Sequence, residues 1–120
     1  MTRALLITNP VAARHDARAL AAVRETLRQG GWSVEVAATA APGDARRFAE
    51  RGRADGFDAL LSYGGDGTAM QVAAALAGTG IPLGLLPGGT GNVLARNLHL
   101  PGRPVAAART ILRRAPISID

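Results

Sequence analysis

Asp58-Ala59-Leu60-Leu61-Ser62-Tyr63-Gly64-Gly65-Asp66-Gly67-Thr68 is the stretch on which the fold turns. From Asp58 to Tyr63 the chain has a continuous apolar centre, as expected of a strand covered on both faces of a parallel sheet. Glycines at 64, 65 and 67 interrupt it. Residues from Thr68 to Ala77 then have helical composition, with Val72 and Leu76 four apart on one face. A buried strand, a glycine turn and a helix in that order form the first part of a βαβ unit.

The same alternation runs outward in both directions. Ala4–Thr8 reads as a strand stopped by Asn9-Pro10, followed by a helix over about Asp16–Gln29 with Leu20, Val23 and Leu27 on one stripe and Gly30-Gly31 as its stop. Ser33–Val36 alternates as a second strand. The turn Ala41-Pro42-Gly43-Asp44 offers Asp44 as the N-cap of a helix reaching about Arg51. Ile81–Leu86 is a fourth strand, with Pro82 tolerated near its start. A short helix over about Gly91–Asn97 and another from Pro104, with Val105, Ala108 and Leu112 on one face, lead to Pro116. Ile117-Ser118-Ile119-Asp120 begins a further alternating strand. The pattern predicts a three-layer, Rossmann-like α/β domain with a mainly parallel sheet.

Composition narrows the chemistry. The 120 residues suit one folding unit, and 48% hydrophobic content with four aromatic residues means a core of Ala, Leu, Val and Ile. All fourteen basic residues are Arg, so a Walker P-loop, a protein-kinase lysine and Schiff-base chemistry are excluded within this chain. The absence of Cys excludes disulfides, thiolate catalysis and Cys-ligated zinc, and agrees with a cytoplasmic location. No apolar run is long enough to span a bilayer, so a soluble protein is expected. The net charge of +5 does not point to nucleic acid, because Arg14, Arg18, Arg24 and Arg28 run with Glu25, and Arg46, Arg47, Arg51 and Arg53 alternate with Asp44, Glu50 and Asp55. These are solvated helix faces. His15 and His99 lack paired ligand spacing, and Trp32 reads as a packing anchor.

Two glycine loops carry the functional signal. Gly64-Gly65-Asp66-Gly67-Thr68 and Pro87-Gly88-Gly89-Thr90-Gly91-Asn92 each follow a strand and precede a helix. In a parallel sheet with right-handed crossovers both emerge, with Asn9-Pro10, at the carboxyl edge, where open α/β sheets bind ligands. Glycine allows close approach of the backbone, and N–H groups at a helix start attract anions. Thr68 and Thr90 add hydroxyl donors, so phosphate is the expected ligand and needs no lysine. For Asp66 the residues alone leave two readings open: a carboxylate for metal or proton handling, or a turn residue bonded to its own backbone.

The GGDGT stretch at 64–68, the Pro87-Gly88-Gly89-Thr90-Gly91-Asn92 loop about twenty residues later and Asn9-Pro10 after the first strand resemble the diacylglycerol kinase catalytic domain family. Its relations include NAD kinases and phosphofructokinases. The resemblance covers essentially the whole chain and implies the nucleotide half of a two-domain kinase that uses ATP and Mg²⁺. By analogy, ATP contacts would come from Asn9, Pro10, Val11, Ala12 and Ala13, from Thr39, from the segment Gly64, Gly65, Asp66, Gly67, Thr68, Ala69 and Met70, and from Gly89 and Thr90, with Asn92 supporting the pocket. Asp66 would be the catalytic residue, handling a metal or a proton at the transferred phosphoryl group.

The implied reaction passes the γ-phosphoryl group of ATP to a hydroxyl of diacylglycerol or a related lipid. The protein would then be cytoplasmic with peripheral contact at the inner membrane face, where Arg96 and Arg103 would approach an anionic headgroup. The pattern departs from the family at three places: Ala12-Ala13 replace a Ser-Gly, Met70-Gln71 an Asn-Glu, and Val93 an Asp. The family's β-rich second domain, which helps build the acceptor site, would begin where this chain ends, so weak or absent lipid phosphorylation is expected of these 120 residues alone. An NAD kinase-like enzyme and a non-catalytic nucleotide-binding module are the alternatives.

Overall fold

A computed structural model describes residues 2–11, 16–87, 108, 111 and 117–118. Strands β1 (Thr2–Thr8), β2 (Trp32–Ala38), β3 (Ala59–Gly64) and β4 (Pro82–Pro87) run parallel, and the two-residue β5 (Ile117–Ser118) pairs antiparallel with β4. Their order is β2-β1-β3-β4-β5. Helices α1 (Ala17–Gln29), α2 (Asp44–Ala54) and α3 (Asp66–Leu76) connect the parallel strands, giving the expected mainly parallel α/β architecture.

Successive strand side chains point to opposite faces of a sheet, so each central strand feeds two cores. Leu5 and Ile7 join Ala49, Leu60, Val72, Leu76 and Leu83 under α2 and α3. Ala4 and Leu6 join Val23, Leu27, Leu61 and Tyr63 under α1, together with Ala108 and Ile111. Every residue of β3 is buried, whereas β2 lies at the sheet edge and alternates between half-buried and exposed. Trp32 packs partly buried against the α1-side core, as a packing anchor should.

The helix boundaries follow local chemistry. Asp16 caps α1 by accepting from the N–H groups of Arg18 (2.8 Å) and Ala19 (3.4 Å). The cap of α2 differs from the sequence expectation. Gly43, with φ 86°, occupies the N-cap position, and Asp44 is the first helical residue. Its carboxylate turns back to the preceding loop, accepting from Ala40 N–H (2.8 Å) and Ala41 N–H (2.9 Å), because two unpaired loop amides lie within its reach. Helix α3 begins at Asp66, ahead of the expected Thr68, with an acidic side chain in its first turn that complements the helix dipole. Gly52 lets α2 sit close to the sheet: a Cβ there would stand 2.8 Å from Leu5 Cδ2.

Arg18, Arg24, Arg28, Arg46, Arg47, Arg51 and Arg53 are exposed, as expected, and Arg14 lies outside the described residues. Exposed ion pairs join Arg28 to Glu25 and Arg46 to Glu50, and Arg47 pairs with Asp44. The expected helices at 91–97 and from Pro104 lie outside the described residues, apart from Ala108 and Ile111. His15, His99, Arg96 and Arg103 lie outside them as well. Among the described residues, no helix is long and apolar enough to cross a membrane.

Candidate functional site

The crossovers leave the sheet in opposite directions. From β1 the chain passes through α1 on one face to β2; from β3 it passes through α3 on the other face to β4. The strand order therefore reverses between β1 and β3, and ligands of open α/β sheets bind at such reversals, outside the carboxyl ends of the strands. Main-chain bonds align the loops there. Thr39 N–H donates to the Thr8 carbonyl (2.8 Å) and Asn9 N–H to the Tyr63 carbonyl (3.3 Å), so the segments leaving β1, β2 and β3 start side by side. Asn9 Oδ1 accepts from Val11 N–H (3.2 Å), closing the Asn9-Pro10-Val11 turn.

Over this edge lies a cleft of about 310 Å³ lined by Asn9, Val11, Thr39, Ala40, Ala41, Pro42, Ala45, Thr68 and Gln71. None of these side chains is charged. The walls are mainly small apolar groups, and the polar atoms are hydroxyls and amides. Asp44 fixes the rim: its two bonds to the Ala40 and Ala41 amides, and then Arg47 beside it, hold its carboxyl below the usual carboxylate range.

The glycine turn borders the cleft. Thr68 folds back over Gly64 so closely that a Cβ at 64 would lie 3.2 Å from Thr68 Oγ1 and 3.3 Å from Thr68 Cβ. At Gly65 and Gly67 the situation is the reverse, since among the described residues a Cβ at either would meet nothing within 4 Å. Gly65 is half-buried and Gly67 exposed, and neither puts a side chain into the space beside the turn. The first bond inside α3 runs from Ala69 N–H to the Gly65 carbonyl (3.2 Å), so the N–H groups of Gly67 and Thr68 have no acceptor within the helix. Asp66 stands half-buried in that first turn.

Of the residues singled out by sequence, the fold brings Asn9, Val11, Thr39 and Thr68 to one cleft. Pro10 is exposed in the turn between two of them. Gly64, Gly65, Asp66 and Gly67 form the neighbouring turn and helix start. Ala69 faces the core beneath α3, and Met70 is exposed and is not a lining residue of the cleft. Ala12, Ala13, Gly89, Thr90 and Asn92 lie outside the described residues.

Two residues with a place in this region were not among the candidate site residues, although Met70-Gln71 was noted as a departure from the family pattern. Gln71 lines the cleft, and its Oε1 accepts from Arg46 N–H (3.4 Å), bridging α3 to α2. Its spacing from Thr68, three residues along a helix, was the available signal. Tyr63 is buried, and burial pushes its phenol above the usual range. A tyrosine in a strand buried along its whole length needs a partner for its hydroxyl. Among the described residues no group of three or more His, Asp or Glu could hold a metal.

Residues 3–120 match the diacylglycerol kinase catalytic domain family. The chain is similar to a "probable lipid kinase YegS-like" protein of Pseudomonas putida, 42% identical over 96 residues, covering 78% of this chain and 32% of that one. Another of the same description, from Pseudomonas aeruginosa, is 41% identical over 118 residues, covering 97% and 38%. The chain thus spans about a third of the length of the curated relatives it matches. A crystal structure of a diacylglycerol kinase from Bacillus anthracis strain Sterne superposes with a TM-score of 0.81 at 30% identity, covering 92% of this chain and 42% of that one. With a match over nearly all its length and a fold in agreement, the chain belongs to the diacylglycerol kinase catalytic domain family.

Proposed function

We propose that this chain is the nucleotide-binding lobe of an ATP-dependent lipid kinase that phosphorylates a hydroxyl of diacylglycerol or a related lipid. One observation carries the reading: the cleft at the β1/β3 reversal gathers Asn9, Val11, Thr39 and Thr68 beside a glycine turn where, among the described residues, the space a side chain at Gly65 or Gly67 would fill is open. A cleft whose described lining carries no charged side chain suits a nucleoside. The turn suits its phosphates, because amides at the start of α3 can hold anions without any lysine. Gly89, Thr90 and Asn92 would complete the grip from the second glycine loop.

Asp66 is the one carboxylate of the turn. Mg²⁺ is commonly held by one or two carboxylates together with substrate phosphates, so a single Asp fits a cation brought in by ATP better than a cage built by the protein. Bound there, the cation would offset charge on the transferred group. In the transfer, the lipid oxygen bonds to the γ-phosphorus as the bond from that phosphorus to the β,γ-bridging oxygen breaks, and ADP leaves. Asp66 is assigned to holding the cation or taking the hydroxyl proton. The relatives' additional length has room for a second domain that contributes the acceptor-lipid site, with peripheral contact at an inner membrane face.

The test is Asp66→Asn. Calorimetry with ATP should show affinity kept within about threefold, while transfer from labelled ATP by the complete gene product falls by about 10²–10⁴. Acceptors should include diacylglycerol, a sphingoid base and NAD. Full transfer by Asp66→Asn would remove its role, and transfer to NAD alone would replace the lipid reading.

A further inference from the structure

We infer that Tyr63 is a positioning residue for the nucleotide site, holding both ends of the β1–α1 connection so that Asn9 and Val11 are set against the glycine turn. The inference rests on the nucleotide reading above. Tyr63 is 1% exposed and immediately precedes Gly64-Gly65. Its carbonyl accepts from Asn9 N–H (3.3 Å), where the connection starts. Its hydroxyl accepts from Asp16 N–H (3.1 Å) and donates to the Asp16 carbonyl (3.4 Å), where the connection ends. Asp16 is in turn committed to α1 through its cap bonds to Arg18 and Ala19. One residue therefore links three things: the strand that delivers the glycine turn, the Asn9 turn that lines the cleft, and the first turn of α1.

The phenol ring alone would not do this. The ring packs in the α1-side core with Leu6, Val23 and Leu86, a role phenylalanine could fill. The hydroxyl adds the only side-chain bond among those described that reaches from β3 to the start of α1. Without it, Asp16 N–H loses its partner, and the spacing between Asn9 and Asp16 is no longer fixed by the strand that carries the glycine turn. Binding a nucleotide would then have to restore that order, and apparent affinity falls by the fraction of molecules not already in the competent arrangement.

The experiment compares wild type, Tyr63→Phe and Leu27→Ala. Leu27 lies fully buried on the inner face of α1, away from the cleft, so its truncation destabilises the same helix without touching the connection. Well below the melting temperature of each, ATP calorimetry should show Kd raised about three- to tenfold by Tyr63→Phe and changed less than twofold by Leu27→Ala. Hydrogen exchange over residues 9–20 should speed up in Tyr63→Phe and be slowed again by ATP. Because Tyr63 is the chain's single tyrosine, 3-fluorotyrosine labelling gives one ¹⁹F resonance that should shift on ATP addition with the calorimetric Kd, even if Tyr63→Phe does not fold. Wild-type affinity in Tyr63→Phe, equal weakening in Leu27→Ala, or a ¹⁹F signal indifferent to ATP would each overturn the inference. A wild-type chain that binds no ATP would overturn the nucleotide reading and take this inference with it.

Discussion

Asp44 shows how one carboxylate can shape the rim of a cleft from outside it. Its oxygens take the Ala40 and Ala41 amides and pair with Arg47, which fixes the loop that lines the cleft. Hydrogen bonds to the charged form lower its folded pKa, so the stability it contributes is present above the unfolded value of about 4 and is lost as pH falls through the depressed folded value. Asp44→Asn should therefore lower Tm by roughly 5 °C at pH 7, with the gap from wild type closing below about pH 4. Thermal scans across pH decide it, and a constant offset at all pH values would refute the linkage. The sequence displayed Asp44 as a cap and missed its real use, because a side chain that turns back to its own loop is set by φ at Gly43, which composition does not report. Tyr63 and Gln71 were not named as site residues for a related reason: their partners, Asp16 and Arg46, are 47 and 25 residues away.

Among the elements, β4 owes its fit to a missing side chain. A Cβ at Gly84 would come 2.5 Å from Leu61 Cδ2 and 3.0 Å from Ile111 Cδ1, both in the tightly packed α1-side core. Gly84→Ala should cost about 1–3 kcal/mol by overpacking, read as a lower urea midpoint, and an unchanged midpoint would show that the core yields freely. The strands best read from sequence were β1, β3 and β4, whose burial on both faces leaves long apolar runs. At the sheet edge, β2 runs from Trp32 to Ala38, longer than its alternation over Ser33–Val36 announced. The start of α3 was placed late because Gly67 is a poor helix former; the fold continues through it since Asp66 favours the helix start. The glycine turn was legible from its residue types, although the fold itself demands glycine only at Gly64, where Thr68 packs too closely for a side chain; none of Gly64, Gly65 and Gly67 adopts a positive φ.

For the molecule as a whole, the proposed site joins loops from three crossovers, so a ligand bound there should stabilise the entire sheet. At 100 times Kd, ATP would add about 2.7 kcal/mol, a rise in Tm of roughly 10 °C for a domain of this size. Scanning calorimetry with and without ATP measures this, and a Tm indifferent to millimolar ATP would contradict the site. The strand order also has a bearing on synthesis. β1 lies between β2 and β3 in the finished sheet, so one side of it waits without a neighbour until Gly64 has left the ribosome. At roughly 5–20 residues per second that interval lasts several seconds. An apolar strand with an open edge is a template for pairing with other chains, so the yield of soluble protein should depend on translation speed between Asn9 and Gly64.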